Sequence, residues 1–177
     1  MSETGLIHVY YGDGKGKTTA ALGLALRAAG CGKNVVIVEF IKNWVCGEHN
    51  SIPQVSNLKL FRGRAAGGKF IYEMSEEEKQ ETKASQDDCL RKALELVEKG
   101  QCDILILDEA TDASELGVLD VELLEGLINN KPDMLELVIT GHKPDARLLE
   151  RADYATEMIK RKHPYDKGIN ARAGIEF

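Results

Sequence analysis

The sequence predicts a single α/β domain spanning residues 1–177, built on a mostly parallel sheet flanked by helices. Three observations carry that prediction: four short apolar runs, helical segments alternating with them, and a glycine-rich turn directly after the first run. The runs are Leu6–Tyr11, Val35–Phe40, Ile104–Leu107 and Leu135–Thr140. They are rich in Val, Ile and Leu without alternation, as strands covered on both faces are. A chain of 177 residues buries one substantial core and is too short for two independent domains.

Taken in order, "TTAALGLALRAAG" is apolar nearly all round, which predicts a helix packed into the core, with Gly30 and Gly32 where its C-terminal cap falls. Lys42–Gly68, ending in "GRAAGG", is the least regular stretch and reads as loop or flap near a site. "SEEEKQETKASQDDCLRKALELVEKG" opens on a capping box from Ser75 to Glu78 and closes on Lys99-Gly100, so it predicts a long helix with an exposed charged face. "LDVELLEGLINNKP" and "KPDARLLERA" supply two more helices. Strands alternating with helices imply right-handed parallel crossovers, with a ligand at the carboxyl ends of the strands.

Composition narrows the function classes. Hydrophobic residues at 43% and charged residues at 29% fit a globular protein rather than a disordered or fibrous one. A net charge of −6 argues against a broad nucleic-acid footprint, while leaving room for a local basic site that takes a small polyanion. Cys31, Cys46, Cys89 and Cys102 form no C-x-x-C pair and read as reduced thiols rather than a zinc site or disulfide framework. The N-terminus lacks the features of a cleaved signal, and no apolar run approaches the ~18 residues of a membrane span. The expectation is a cytoplasmic protein with no membrane partner.

The chemistry is concentrated in "VYYGDGKGKTTAALG". Gly12, Gly14 and Gly16 permit a strand-to-helix turn whose backbone N–H groups converge on phosphate, at the positive end of the following helix. Lys17 then reaches the phosphates and the Thr18 hydroxyl serves Mg²⁺. The frame is one residue shorter than G-x-x-x-x-G-K-[ST], because Tyr11 stands where the first glycine belongs. A dinucleotide-binding G-x-G-x-x-G turn fails too, since position 17 is Lys. A second signal is "ILILDE", an apolar strand ending in Asp108-Glu109, where a P-loop NTPase-like (RecA-like) domain puts acidic residues for Mg²⁺. Arg27, on an otherwise apolar helix, either snorkels to solvent or acts near the nucleotide. His8, His49, His142 and His163 show no metal-ligand spacing and offer no persuasive general base.

The combination resembles one family. "GDGKGKTTAALG", "RAAGCGKNVVIVEFIK", Gly47-Glu48, "DILILDEA", "VITGH", "ADYATEM" and "KHPYDKGINARAGIEF" are similar to segments of the ATP:corrinoid adenosyltransferases, over Gly5 to Phe177. That resemblance implies transfer of the 5′-deoxyadenosyl group of ATP to the Co(I) centre of a reduced corrinoid, releasing triphosphate. ATP is then a co-substrate, with Mg²⁺ or Mn²⁺ as cofactor, lying in the reverse sense to that in ordinary phosphate-loop ATPases. The implied nucleotide cradle is Gly12, Asp13, Gly14, Lys15, Gly16, Lys17, Thr18 and Thr19, with Arg27 at a matching family position. Thr18 and Glu109 are the implied metal partners.

The family also carries an F-x-W pair beneath the corrin ring. Here Phe70-Ile71-Tyr72 keeps the spacing with Tyr in place of Trp, and the alternative is a pair of packing residues on a short strand. His142 stands where relatives often carry Arg, and Trp44 reads as a partly exposed packing residue. The resemblance further implies a flavoprotein or flavodoxin-type reductant and a homodimer. The competing readings are a phosphate-loop ATPase or small-molecule kinase, and a corrinoid carrier that holds ATP without turnover.

Overall fold

In the computed structural model, which describes residues 4–65 and 68–177, six strands form one sheet. They are β1 (Ile7–Tyr11), β2 (Val35–Glu39), β3 (Leu58–Arg62), β4 (Ile104–Asp108), β5 (Glu136–Gly141) and β6 (Tyr154–Glu157), in the spatial order β3-β2-β4-β5-β1-β6. Every pairing is parallel. The helices are α1 (Lys17–Gly30), α2 (Glu48–Ser51), α3 (Glu76–Glu98), α4 (Ala110–Glu115), α5 (Val121–Asn129) and α6 (Ala146–Arg151).

Both faces of the sheet are covered, which is why the central strands read as unbroken apolar runs. Val35, Ile37, Ile104, Ile106 and Val138 pack under α1 on one face. The alternate residues Val36, Val38, Leu105, Leu107, Leu137 and Ile139 join the core that includes Leu90 of α3 and Leu124 and Leu148 of α5 and α6 on the other. Ser75 caps α3 through the expected reciprocal box with Glu78, and Asp120 and Asp145 cap α5 and α6. Among the described residues, no helix is long and apolar enough to cross a membrane.

Three local expectations need correction. The segment read as loop or flap contains α2 and the strand β3, and Ala66 and Gly67 of its "GRAAGG" end lie outside the described residues. β3 and β6 both lie at sheet edges, where one side needs no apolar partner, so "LKLFR" and "YATE" carry too little hydrophobicity to announce themselves. Finally, α1 is not buried all round. An alanine stripe, Ala21, Ala25 and Ala28, lies on the sheet, while Leu26 is 61% exposed.

This asymmetry gives a stability contrast. Leu90→Ala, a deletion in the fully buried core, should cost about 2–5 kcal/mol. Leu26→Ala should stay within about 0.5 kcal/mol of wild type in urea unfolding; a large loss there would mean that α1 is covered in the free protein.

Candidate active site

The parallel register brings the charged ends of three strands together. Glu39 of β2 lies between Arg62 of β3 and Asp108 of β4 at the carboxyl edge, and Tyr11 of β1 pairs with Gly141 of β5 and Glu157 of β6. From Tyr11 the chain enters the glycine loop, which is pinned by the segments after β5 and β6. Gly14 N donates to Met158 O at 2.7 Å, Lys160 N donates to Asp13 Oδ1 at 2.9 Å, and Gly12 N donates to His142 O at 3.1 Å. Gly12 has φ 104°, and a Cβ there would lie 2.5 Å from the Met158 carbonyl oxygen, so glycine is required by conformation and by space alike.

Lys17 opens α1 and curls over the loop, donating to the carbonyls of Gly12 at 2.7 Å and Gly14 at 3.0 Å. Burial pushes its pKa below the usual lysine value, an effect partly offset by Asp112, Glu109, Asp13 and Asp108. Thr18 donates to Asp108 at 2.9 Å (Oδ1) and 3.1 Å (Oδ2). Thr140, near the end of β5, donates to Oδ1 at 2.8 Å, and Lys42 Nζ lies 3.1 Å from Oδ2. Asp108 itself is 2% exposed.

Glu109 differs from its neighbour. Its backbone adopts φ 61° in the left-handed region, held there by a 2.9 Å hydrogen bond from its N–H to Thr140 Oγ1. Its carboxyl lines the cleft beside the loop and has no hydrogen-bond or ion-pair partner among the described residues. Burial, with Asp108 adding repulsion, pushes its pKa up to about 7. This donor set fits a divalent cation: Thr18 gives its proton to Asp108 and keeps its oxygen lone pairs free, and Glu109 offers a carboxylate whose charge a cation would stabilise.

A buried charge cluster backs this edge. Lys42 reaches Glu39 at 3.3 Å and Glu48 at 3.1 Å as well as Asp108. Burial works against its charge, yet Asp108, Glu39 and Glu48 together hold the ammonium above the usual lysine range. Glu39 also meets His49 Nε2 at 2.7 Å and Arg62 Nε at 3.3 Å. Cys46, Glu48 and His49 come close enough to suggest a metal trio. They do not act as one, because His49 Nδ1 accepts from Cys46 N, His49 Nε2 faces Glu39, and Glu48 is bound to Lys42. All four cysteines are free thiols.

A cleft of about 710 Å³ joins these parts. Its lining includes Asp13 through Thr19, Lys42, Glu48, Glu109, His142, and Ile175 to Phe177 of the C-terminal segment. Lys15 is therefore inside the site, with Glu176 of that segment close enough to feel its charge. Trp44, 47% exposed, also lines the cleft, as do Leu22 and Leu26 of α1. Three expected site residues lie apart from it. Arg27 is exposed in the last turn of α1. Phe70 and Tyr72, 51% and 79% exposed, stack on each other at 5.5 Å between ring centroids, on a 3₁₀ turn rather than a strand.

Sequence reasoning missed Glu39, Lys42, Asp112 and Thr140. The signal for the first was present: "VVIVE" ends an apolar strand on a carboxylate as "ILILD" does. Asp112 has no such signal. It accepts from His142 N and faces its Nδ1, both at 3.0 Å, across a separation of thirty residues in the chain.

Comparison with known proteins follows the same line. Residues 3–177 match the family model described as ATP:corrinoid adenosyltransferase BtuR/CobO/CobP. The chain is 34% identical over 178 residues to a corrinoid adenosyltransferase of Escherichia coli strain K12, covering 100% of this chain and 88% of that one. It is 34% identical over 181 residues to the corrinoid adenosyltransferase CobA of Salmonella typhimurium, with the same coverage. A Pseudomonas aeruginosa corrinoid adenosyltransferase is 31% identical over 99% of this chain and 85% of its own length.

The raised pKa of Glu109 has a defined pH signature. Its proton is held more tightly in the folded than in the unfolded chain, so stability is lost as pH rises from about 4.5 through about 7. In chelator-treated protein, Glu109→Gln should therefore be more stable than wild type at pH 8, by about 1–3 kcal/mol, and indistinguishable from it at pH 4. Unfolding curves at the two pH values measure the difference; a Gln variant less stable at pH 8 would count against the burial account.

Proposed function

Because this chain belongs to the ATP:corrinoid adenosyltransferase family, we propose that it carries out the family's reaction, adenosylation of a corrinoid by ATP, with the triphosphate seated in the loop Gly12–Thr19 as the departing group. The observation that carries this reading is the juxtaposition at the carboxyl edge: a shortened glycine loop, Lys17, and Thr18 hydrogen-bonded to Asp108 beside the unpaired carboxyl of Glu109.

The chemistry asks little of a protein acid or base. The reduced Co(I) centre of the corrinoid is the nucleophile; its electron pair forms the cobalt–carbon bond at the ribose 5′ carbon, and the C–O bond to the triphosphate breaks with its electrons on oxygen. Negative charge develops on the leaving group, so loop N–H groups, Lys17 and Lys15 stabilise the transition state more than the ground state. A divalent cation, Mg²⁺ or Mn²⁺, held by Thr18 and Glu109, would supply further Lewis-acid stabilisation of that oxygen. Lys17 would exchange the carbonyls of Gly12 and Gly14 for phosphate oxygens. No side chain has to remove a proton, in keeping with a cleft whose histidines, His142 and His163, need no base role.

The corrinoid is assigned to the side of the molecule that carries Phe70 and Tyr72. Supporting this, two large aromatic rings are stacked and exposed there. A flat apolar face of that kind suits the underside of a corrin ring and disfavours a polar lower axial ligand, which makes Co(II) easier to reduce. A flavoprotein or flavodoxin-type reductant and a homodimeric state complete the proposal. Arg27 is retained in it as a group that reaches the nucleotide on binding.

Two measurements test the reading. Incubation with ATP, Mg²⁺ and chemically reduced cob(I)alamin should give adenosylcobalamin and triphosphate in equal amounts; stoichiometric ADP would instead identify an ATPase or kinase. Tyr72→Ala should slow the reaction started from Co(II) by about tenfold or more while changing the Co(I) reaction by less than about threefold, on the scale of one lost aromatic contact. Equal losses in the two assays would remove Tyr72 from the axial-ligand role.

A further inference from the structure

Lys42 is a buried cation with no part in the scheme above, and it touches Asp108, the carboxylate that holds the Thr18 hydroxyl. A carboxylate offers about four lone-pair sites. At Asp108 three donors crowd them: the Thr140 hydroxyl on Oδ1, the Lys42 ammonium on Oδ2, and the single Thr18 hydroxyl proton shared between the two oxygens. Glu109, next in sequence, has a carboxyl with no such partner and faces the cleft. The backbone enforces this division. Among the described residues only two non-glycine residues have positive φ, Ile41 at 48° and Glu109 at 61°, and each adjoins one member of the Lys42–Asp108 pair. A β-branched residue in the left-handed region is a strained choice, retained where the surroundings over-determine it. Here the kink at Ile41 turns Lys42 back beneath the sheet edge, where Phe40 N donates to Asp108 O at 3.1 Å.

From this geometry we infer that Lys42 is a positioning residue that keeps Asp108 out of the inner coordination sphere of the metal accompanying ATP. Asp108 serves as the acceptor that orients Thr18, and the protein's inner-sphere ligands are Thr18 and Glu109 alone. The cation is then held mainly by phosphate oxygens, and leaves with the triphosphate. Glu39 and Glu48 keep the ammonium in place from the opposite side.

The inference rests on the reading that a divalent cation binds with ATP at this loop, and its test reads metal affinity rather than turnover. Mn²⁺ is titrated by electron paramagnetic resonance into ATP-saturated wild type, Asp108→Asn, Lys42→Met and the double variant. Asp108→Asn disturbs the acceptor that orients Thr18 but removes no inner-sphere ligand, so it should weaken Mn²⁺ by no more than the roughly 10–100-fold of an outer-shell change. Lys42→Met frees the Asp108 carboxylate and should tighten Mn²⁺ by about tenfold or more, a gain that the double variant should lose. A loss well beyond about a hundredfold in Asp108→Asn overturns the inference, as does a folded Lys42→Met variant that binds Mn²⁺ no more tightly. Where Lys42→Met does not fold, Lys42→Gln, which removes the charge but can still donate to the surrounding carboxylates, takes its place with the same expected tightening. Failure to form adenosylcobalamin would count against the transferase chemistry and not against the role of Lys42.

Discussion

The Asp108 carboxylate is the point from which the rest of the site is hung. It ties Thr18 at the start of α1, Thr140 near the end of β5 and Lys42 beyond β2 to the end of β4. Four elements that are distant in sequence are thereby held to one buried group. Loss of any partner would leave a desolvated charge or hydroxyl without compensation, which is far more costly than the net worth of a surface ion pair. The site's rigidity follows from that asymmetry rather than from the strength of any one hydrogen bond.

The cluster around Lys42 extends the same logic. Three carboxylates surround one lysine, and Glu39 draws additional support from His49 and Arg62. Buried ionic groups contribute little to stability when compared with well-packed apolar residues. Their service here is geometric. They fasten α2 and the turn before it, which carry one wall of the cleft, to the strand edge that carries the other.

What could be read from sequence was what is local in sequence. The glycine loop, Lys17 and Thr18 lie within a single strand–turn–helix unit, and Asp108-Glu109 end an apolar run, so their types and spacing sufficed. The four central strands were equally legible because burial on both faces leaves an uninterrupted apolar stretch. The edge strands β3 and β6 were not, since half of their surroundings is solvent. Lys42 was also hidden, because its importance comes from the β2–β4 register that sets Glu39 beside Asp108, and register is a tertiary fact. The placement of Phe70 and Tyr72 apart from the phosphate cleft, on an exposed turn, depends likewise on how the chain between β3 and α3 is laid down.

The contact between the glycine loop and the segment that follows β6 has a bearing on how the protein is made. Asp13 and Gly14 take their partners from Lys160 and Met158, far along the chain. The loop is translated long before the backbone against which it is moulded, since Lys160 lies 147 residues beyond Asp13. During synthesis the glycines are free to sample the many conformations open to them. The cradle acquires its single shape only once the segment after β6 docks, so a nascent chain that stops short of that segment has no preformed nucleotide site.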